Sequence, residues 1–302
     1  MADGDALRRF MFEHFPVRGE IARLQESWRA VISRQDYPPA VRALLGEALA
    51  ACALLASTLK FDGSLTLQIQ GEGDLQLLVA QCSSKLELRG LAKWKGDDPR
   101  GTLAELTGVG RLAITIEQGP DQERYQGIVL ADTDTLAGCL EHYFARSEQL
   151  PTRLWLAADG ECAAGLLLQR MPGSAGVAAD DEEDEDDEDD GWRRAGVLAD
   201  TLSAEELLSL TPEILLRRLF HEEDLRLADA RSLAFHCSCN RERVESALRL
   251  LGREELSELL ASEGRIEVRC EFCNKAYEVD PVDVERLLTD ENAVPPVSRR
   301  LH

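Results

Sequence analysis

The sequence is short of positive charge: 34 Lys and Arg stand against 56 Asp and Glu, a formal net charge of -22 over 302 residues. That balance argues against nucleic acid, whose phosphates need clustered cations, and against anionic membrane surfaces. Long apolar runs are missing too. The longest, ALAACALLA at 48–56, is half the ~18 residues that a membrane span requires, so none is expected. The N-terminal MADGDALRRF lacks a basic segment followed by an apolar one, and the protein therefore reads as cytoplasmic. No P-loop or other nucleotide motif occurs, and no repeat of about 20–50 residues is visible. Neither do His14, Glu141 and His142 form a catalytic spacing, so the chain is not expected to be an enzyme.

What is present fits a soluble globular protein, with 44% hydrophobic and 30% charged residues, long enough for one large and one small folding unit. Residues 38–60 open with prolines and carry apolar side chains at helical intervals, which predicts a central buried helix. Residues 64–94 alternate apolar and polar positions and are broken by GEGD and CSS, which predicts a three-stranded antiparallel meander. Strands are expected at 111–118 and 124–131, a helix at 135–148, and two more strands around the turn DGEC. The fold class is thus α+β: an antiparallel sheet with helices, then a helical linker and a small C-terminal zinc-binding domain.

Composition changes after Met171. PGSAGVAA and the eleven consecutive acidic residues at 180–190 cannot bury apolar surface, and disorder is expected there. Short helices follow: Ser203 with Glu206 has the form of a capping box, and Thr211 precedes a proline at the first helical position. They are amphipathic but too short to stand alone, so they must lean on a neighbour. The expected division is 1–175 for the main domain, 176–234 for an acidic spacer and metastable linker, and 235–302 for the zinc domain.

The C-terminal domain contains CSC at 237–239 and CEFC at 270–273. Cys237, Cys239, Cys270 and Cys273 together offer four soft thiolates, the donor set of a tetrahedral Zn²⁺ site. CEFC lies between two strand candidates, where it would form a knuckle in a hairpin. A thioredoxin-like motif would instead open a helix. His236, beside the pair, could replace one ligand, but it reads as a bystander, since four thiolates already satisfy the metal. In so small a unit the metal supplies much of the folding free energy. Zinc is redox-inert, but its thiolates are not, and pairing Cys237 with Cys239 and Cys270 with Cys273 would discharge it. Cys52, Cys82, Cys139 and Cys162 have no ligand spacing and read as small buried apolar residues.

With these residues in view, the chain resembles the bacterial heat-shock protein 33 family of redox-regulated holdase chaperones. The resemblance rests on the CxC and CxxC pairs, on FHCSCNRERVESALRLLG and IEVRCEFCNKAYEVD, and on ERYQGIV, LEHYFARSEQLPTRLWLAA and GLLLQRMP in the first domain. It implies a form that is inactive while reduced and holds one zinc per chain. Oxidation in such proteins forms the two near-neighbour disulfides, releases zinc and unfolds the linker. Unfolded client proteins are then held without ATP, by a protein that dimerises when oxidised. A thiol–disulfide oxidoreductase and a constitutive zinc-stabilised interaction protein are the alternatives. The acidic run at 180–190 departs from the family pattern and reads as a solvated spacer, the alternative being a segment that keeps the exposed state soluble or tunes linker unfolding.

Overall fold

A computed structural model describes residues 4–118, 124–172 and 182–290, except for the side chains of 182–189, 263 and 288–290. Two strands that the sequence reading did not assign, β1 (Ala6–Phe12) and β2 (Val17–Leu24), begin the chain and pair antiparallel. Their partners are β8 (Thr152–Ala158) and β9 (Ala163–Arg170), in the order β1-β2-β9-β8. The β8–β9 turn is closed by Asp159, whose Oδ1 accepts from the amides of Glu161 and Cys162, both at 2.8 Å. Helix α1 (Glu26–Ile32) follows β2, and Asp5 accepts from the free amides of its first turn.

The second sheet contains the expected meander, β3 (Gly63–Gln70), β4 (Leu75–Ser83) and β5 (Glu87–Trp94), extended by β6 (Arg111–Gln118) and β7 (Tyr125–Leu130). A short helix, α3 (Leu103–Thr107), starts on a capping box between Thr102 and Glu105. Alternation is legible here because the outer face is polar: Gln81 reaches Ser64 and Thr66 across the strands, and Arg89 donates to Gln81.

Helix α2 (Pro39–Thr58) packs on strands of both sheets. By length and composition it is apolar enough to cross a membrane, but 78% of its most apolar window is buried, as the core helix of a two-sheet unit. The close approach depends on Gly46, where a Cβ would lie 2.4 Å from that of Ala158. Helix α4 (Leu136–Tyr143) continues as a π-helical turn, Phe144–Glu148, which the sequence reading merged into one helix.

The first sheet is also covered on its outer face. Helices α5 (Glu182–Ala199), α6 (Ala204–Ser209) and α7 (Pro212–Leu219) bury Ala195, Leu207, Leu215, Leu216 and Leu219 against Phe10, Phe12, Leu166 and Leu168. The capping box of Ser203 and Glu206 is present; Thr211 occupies the N-cap position without a side-chain bond. The expectation of disorder is corrected for 182–190, which is helical, while 173–181 lies outside the described residues. Acidic residues suit the N-terminal end of a helix, Asp190 pairs with Arg193 and Arg194, and the last two turns are anchored in the apolar cluster. After α7 the chain does not stay helical: β10 (Leu225–Leu227) and β11 (Arg231–Ser232) pair with β1, and β12 (Ala234–Phe235) runs parallel to β5.

The chain divides into two compact units, 1–236 and 237–302. In the second, α8 (Arg241–Arg249) and α9 (Gly252–Glu263) replace the single helix expected over 241–263, the break lying at Gly252 with φ +82°. The hairpin β13 (Ile266–Arg269) and β14 (Ala276–Val279) follows, then α10 (Pro281–Asp290). Its core is small: Val244, Leu248, Leu256, Ile266, Tyr277, Val279, Val284 and Leu287.

Candidate metal centre

The second unit builds its cysteine site from a helix start and a hairpin turn. Cys237 and Cys239 lie on the extended stretch before α8, whose first turn is capped by Asn240 Oδ1 accepting from the Arg243 amide at 2.8 Å. Cys270 and Cys273 lie in the β13–β14 turn. The Cys270 amide donates to Lys275 O at 3.0 Å and the Asn274 amide to Cys270 O at 2.8 Å, with Asn274 at φ +62°. Asparagine tolerates this left-handed conformation well, which lets CEFC curl with both sulfurs on one side.

All four Sγ atoms lie within 4.8 Å of one another. Cys239 and Cys273 approach to 3.3 Å, and Cys237 and Cys270 to 3.7 Å. Four sulfurs at about 2.3 Å from a tetrahedral Zn²⁺ stand about 3.8 Å apart, so the cluster has the size and donor chemistry for that ion. Tyr277, to which the sequence reading gave no role, donates its hydroxyl to Cys239 Sγ at 3.2 Å. Strand alternation alone would mark it as a core residue.

Burial opposes ionisation at Cys239, but the bonds donated to it by Tyr277 and its neighbouring thiols prevail and bring it down to about 7. Cys273 is pushed up to about 12, by burial and then by its role as donor, and burial also raises Cys237. Four thiolates gathered this closely would repel one another and need a cation to hold them together.

The other cysteines differ in burial and in having no thiol cluster around them. Cys52, Cys82, Cys139 and Cys162 are buried in the first unit, as expected. Burial raises Cys52 well above the ordinary range, Cys82 to about 12 and Cys139 to about 11. His236 is outside the sulfur cluster, and its amide donates to Leu88 O at 3.0 Å. Glu141 accepts from the Leu154 amide at 2.7 Å, and His14 meets Asp224 at 2.9 Å.

A family model described as Hsp33 protein matches residues 5–280. The chain belongs to the Hsp33 family. The 33 kDa chaperonin of Nitrosococcus oceani is 48% identical over 300 residues, covering 99% of this chain and all of that protein. The 33 kDa chaperonin of Methylobacillus flagellatus is 44% identical, with 98% of each chain covered. The crystal structure of the 33 kDa chaperonin (heat shock protein 33 homolog) from Thermotoga maritima superposes with a TM-score of 0.77 at 26% identity, covering 96% of this chain and 99% of that one. This Hsp33-family chain is therefore a chaperone relative along its whole length, with a four-cysteine cluster able to hold a metal ion in its second unit.

Proposed function

We propose that the protein is a redox-regulated, ATP-independent holdase of the cytoplasm, not an enzyme, which binds unfolding client proteins under oxidative stress. The observation that carries the reading is the pairing of a four-thiol cluster with a unit whose buried apolar core, among the described residues, is eight side chains. Such a unit depends on its metal to fold. Cys237, Cys239, Cys270 and Cys273 would hold one zinc ion per chain in the reduced form, and the zinc would serve there as a structural cross-link.

The switch follows from the ligands being oxidisable. Each pair of thiolates loses two electrons to one equivalent of peroxide, which takes up two protons from solvent and leaves as two waters, while zinc is released and Cys237–Cys239 or Cys270–Cys273 forms. With its ligands paired the second unit loses its cross-link and unfolds. The segment 176–234 then acts as a metastable linker. Its short helices cover an apolar sheet face that carries Phe10, Phe12, Leu166 and Leu168, a surface suited to unfolded chains once uncovered. Dimerisation of the oxidised form belongs to the same reading.

Light scattering of a denatured client, with zinc release followed in the same sample, tests it. Suppression of aggregation only after oxidation, in step with loss of about one zinc per chain, is expected. Catalytic reduction of a client disulfide would point to an oxidoreductase, and suppression independent of redox state to a constitutive interaction protein; either result overturns the proposal.

A further inference from the structure

ERYQGIV, LEHYFARSEQLPT and GLLLQRMP have no part in a thiol switch, yet side chains from all three meet at one cleft of the first unit. The cleft, about 300 Å³, lies at the C-terminal end of α2 between the two sheets. That is the lower end of the size range of small-molecule sites. Its walls are apolar, with Leu55 from α2, Ile114 from β6 and Phe144 from the π-helical turn. The wide turn of the π-helix lets Phe144 and Glu148 both line it.

The polar groups divide into a satisfied set and an open one. Tyr143 Oη donates to Glu148 Oε1 at 2.7 Å, and Tyr125 Oη reaches the same oxygen at 2.8 Å. Glu148 Oε1 thus takes both hydroxyls at the exposed mouth of the cleft, with the side chain in solvent. Gly127 seats the Tyr143 ring, since a Cβ there would lie 2.4 Å from Tyr143 Cε2.

Arg18 is the open group. Its Nε and Nη2 both donate to the neutral amide oxygen of Gln169, whose own Nε2 goes to Thr152 Oγ1 at 2.8 Å. Neither bond uses Nη1. The carboxylate two positions along the strand, Glu20, is held by Arg9 at 2.8 Å. Three guanidinium groups, those of Arg9, Arg18 and Arg231, therefore act on one buried acid, which leaves a half-buried cation at the wall of an apolar cleft.

We propose that this cleft binds a small amphipathic monocarboxylate, its acyl or aryl body between Leu55, Ile114 and Phe144 and its carboxylate on Arg18 Nη1. A charge-assisted bond in a partly desolvated site favours such an anion over the matching alcohol.

The test is calorimetric titration of the reduced, zinc-loaded full-length chain with decanoate and with decanol. Two variants accompany it, Arg18→Gln and Leu59→Trp. Leu59 stands on the exposed rim, so its variant keeps the test open even where Arg18→Gln loses its fold. One decanoate per chain is expected, bound roughly tenfold or more weakly by each variant, while decanol binds wild type and Arg18→Gln alike. The proposal is overturned by absence of saturable decanoate binding, by several equivalents bound regardless of either substitution, or by decanol binding as tightly as decanoate.

Discussion

Four cysteines lie in each of the two units, and they do opposite things. Cys52 and Cys82 sit in the core of the first unit, with Cys52 Sγ donating to the carbonyls of Leu65 and Ala80. There a cysteine serves as a small apolar residue, and its burial keeps the thiol protonated and unreactive. In the second unit the four sulfurs are only half-buried and gathered within 4.8 Å, beside a core of eight buried side chains among the described residues. Burial against proximity, not the residue type, separates a filler from a ligand.

The sharpest way to break this contrast is to remove one ligand. Cys273→Ser should abolish stoichiometric zinc and unfold the second unit, because binding supplies about 10–16 kcal/mol of apparent folding free energy in such sites. Zinc content and the loss of dispersed amide NMR signals from 241–287 would check it, while amides of 44–55 in the buried α2 stay protected. Next in size is the linker. Leu216 is 2% exposed in the outer cluster, and Leu216→Ala should cost about 2–5 kcal/mol of helix docking. The expected outcome is client binding by the zinc-loaded, reduced protein, read by light scattering. Tyr277→Phe removes a donor to Cys239 and should keep one zinc per chain while weakening affinity about tenfold, measured by competition with a chelator. Cys52→Ala should be the mildest: a loss of about 1 kcal/mol in a denaturant melt, with zinc release and oxidation kinetics as in wild type.

Much of this was legible in the sequence, for physical reasons that can be named. Residues 64–94 showed strand alternation because the second sheet is buried on one face only, with Thr66, Gln68 and Gln81 outside and Leu67, Ile69 and Ala80 inside. Strands β1 and β2 did not, because helices cover their outer face as well: Phe10 and Leu7 are both buried, on opposite sides. The cysteine quartet announced itself by spacing, since metal geometry restricts how ligands can be placed in a chain. Tyr277 carried no such mark, because one hydroxyl aimed at a sulfur is set by tertiary packing. Capping residues revealed α6, whereas β10, β11 and β12, two or three residues each, are too short to show a period. The acidic stretch read as structureless because its helix is anchored from its C-terminal half, at Ala195 and Ala199.

In the proposed switch, oxidation of the second unit uncovers the outer face of the first sheet. Hydrogen exchange, followed by mass spectrometry on the same preparation before and after peroxide, tests this most directly. Peptides from 204–219 and 10–17 should lose protection in step with zinc release, while those from 44–55, in the buried α2, keep theirs. Full protection of 204–219 in an oxidised, zinc-free protein that still holds client would contradict the account.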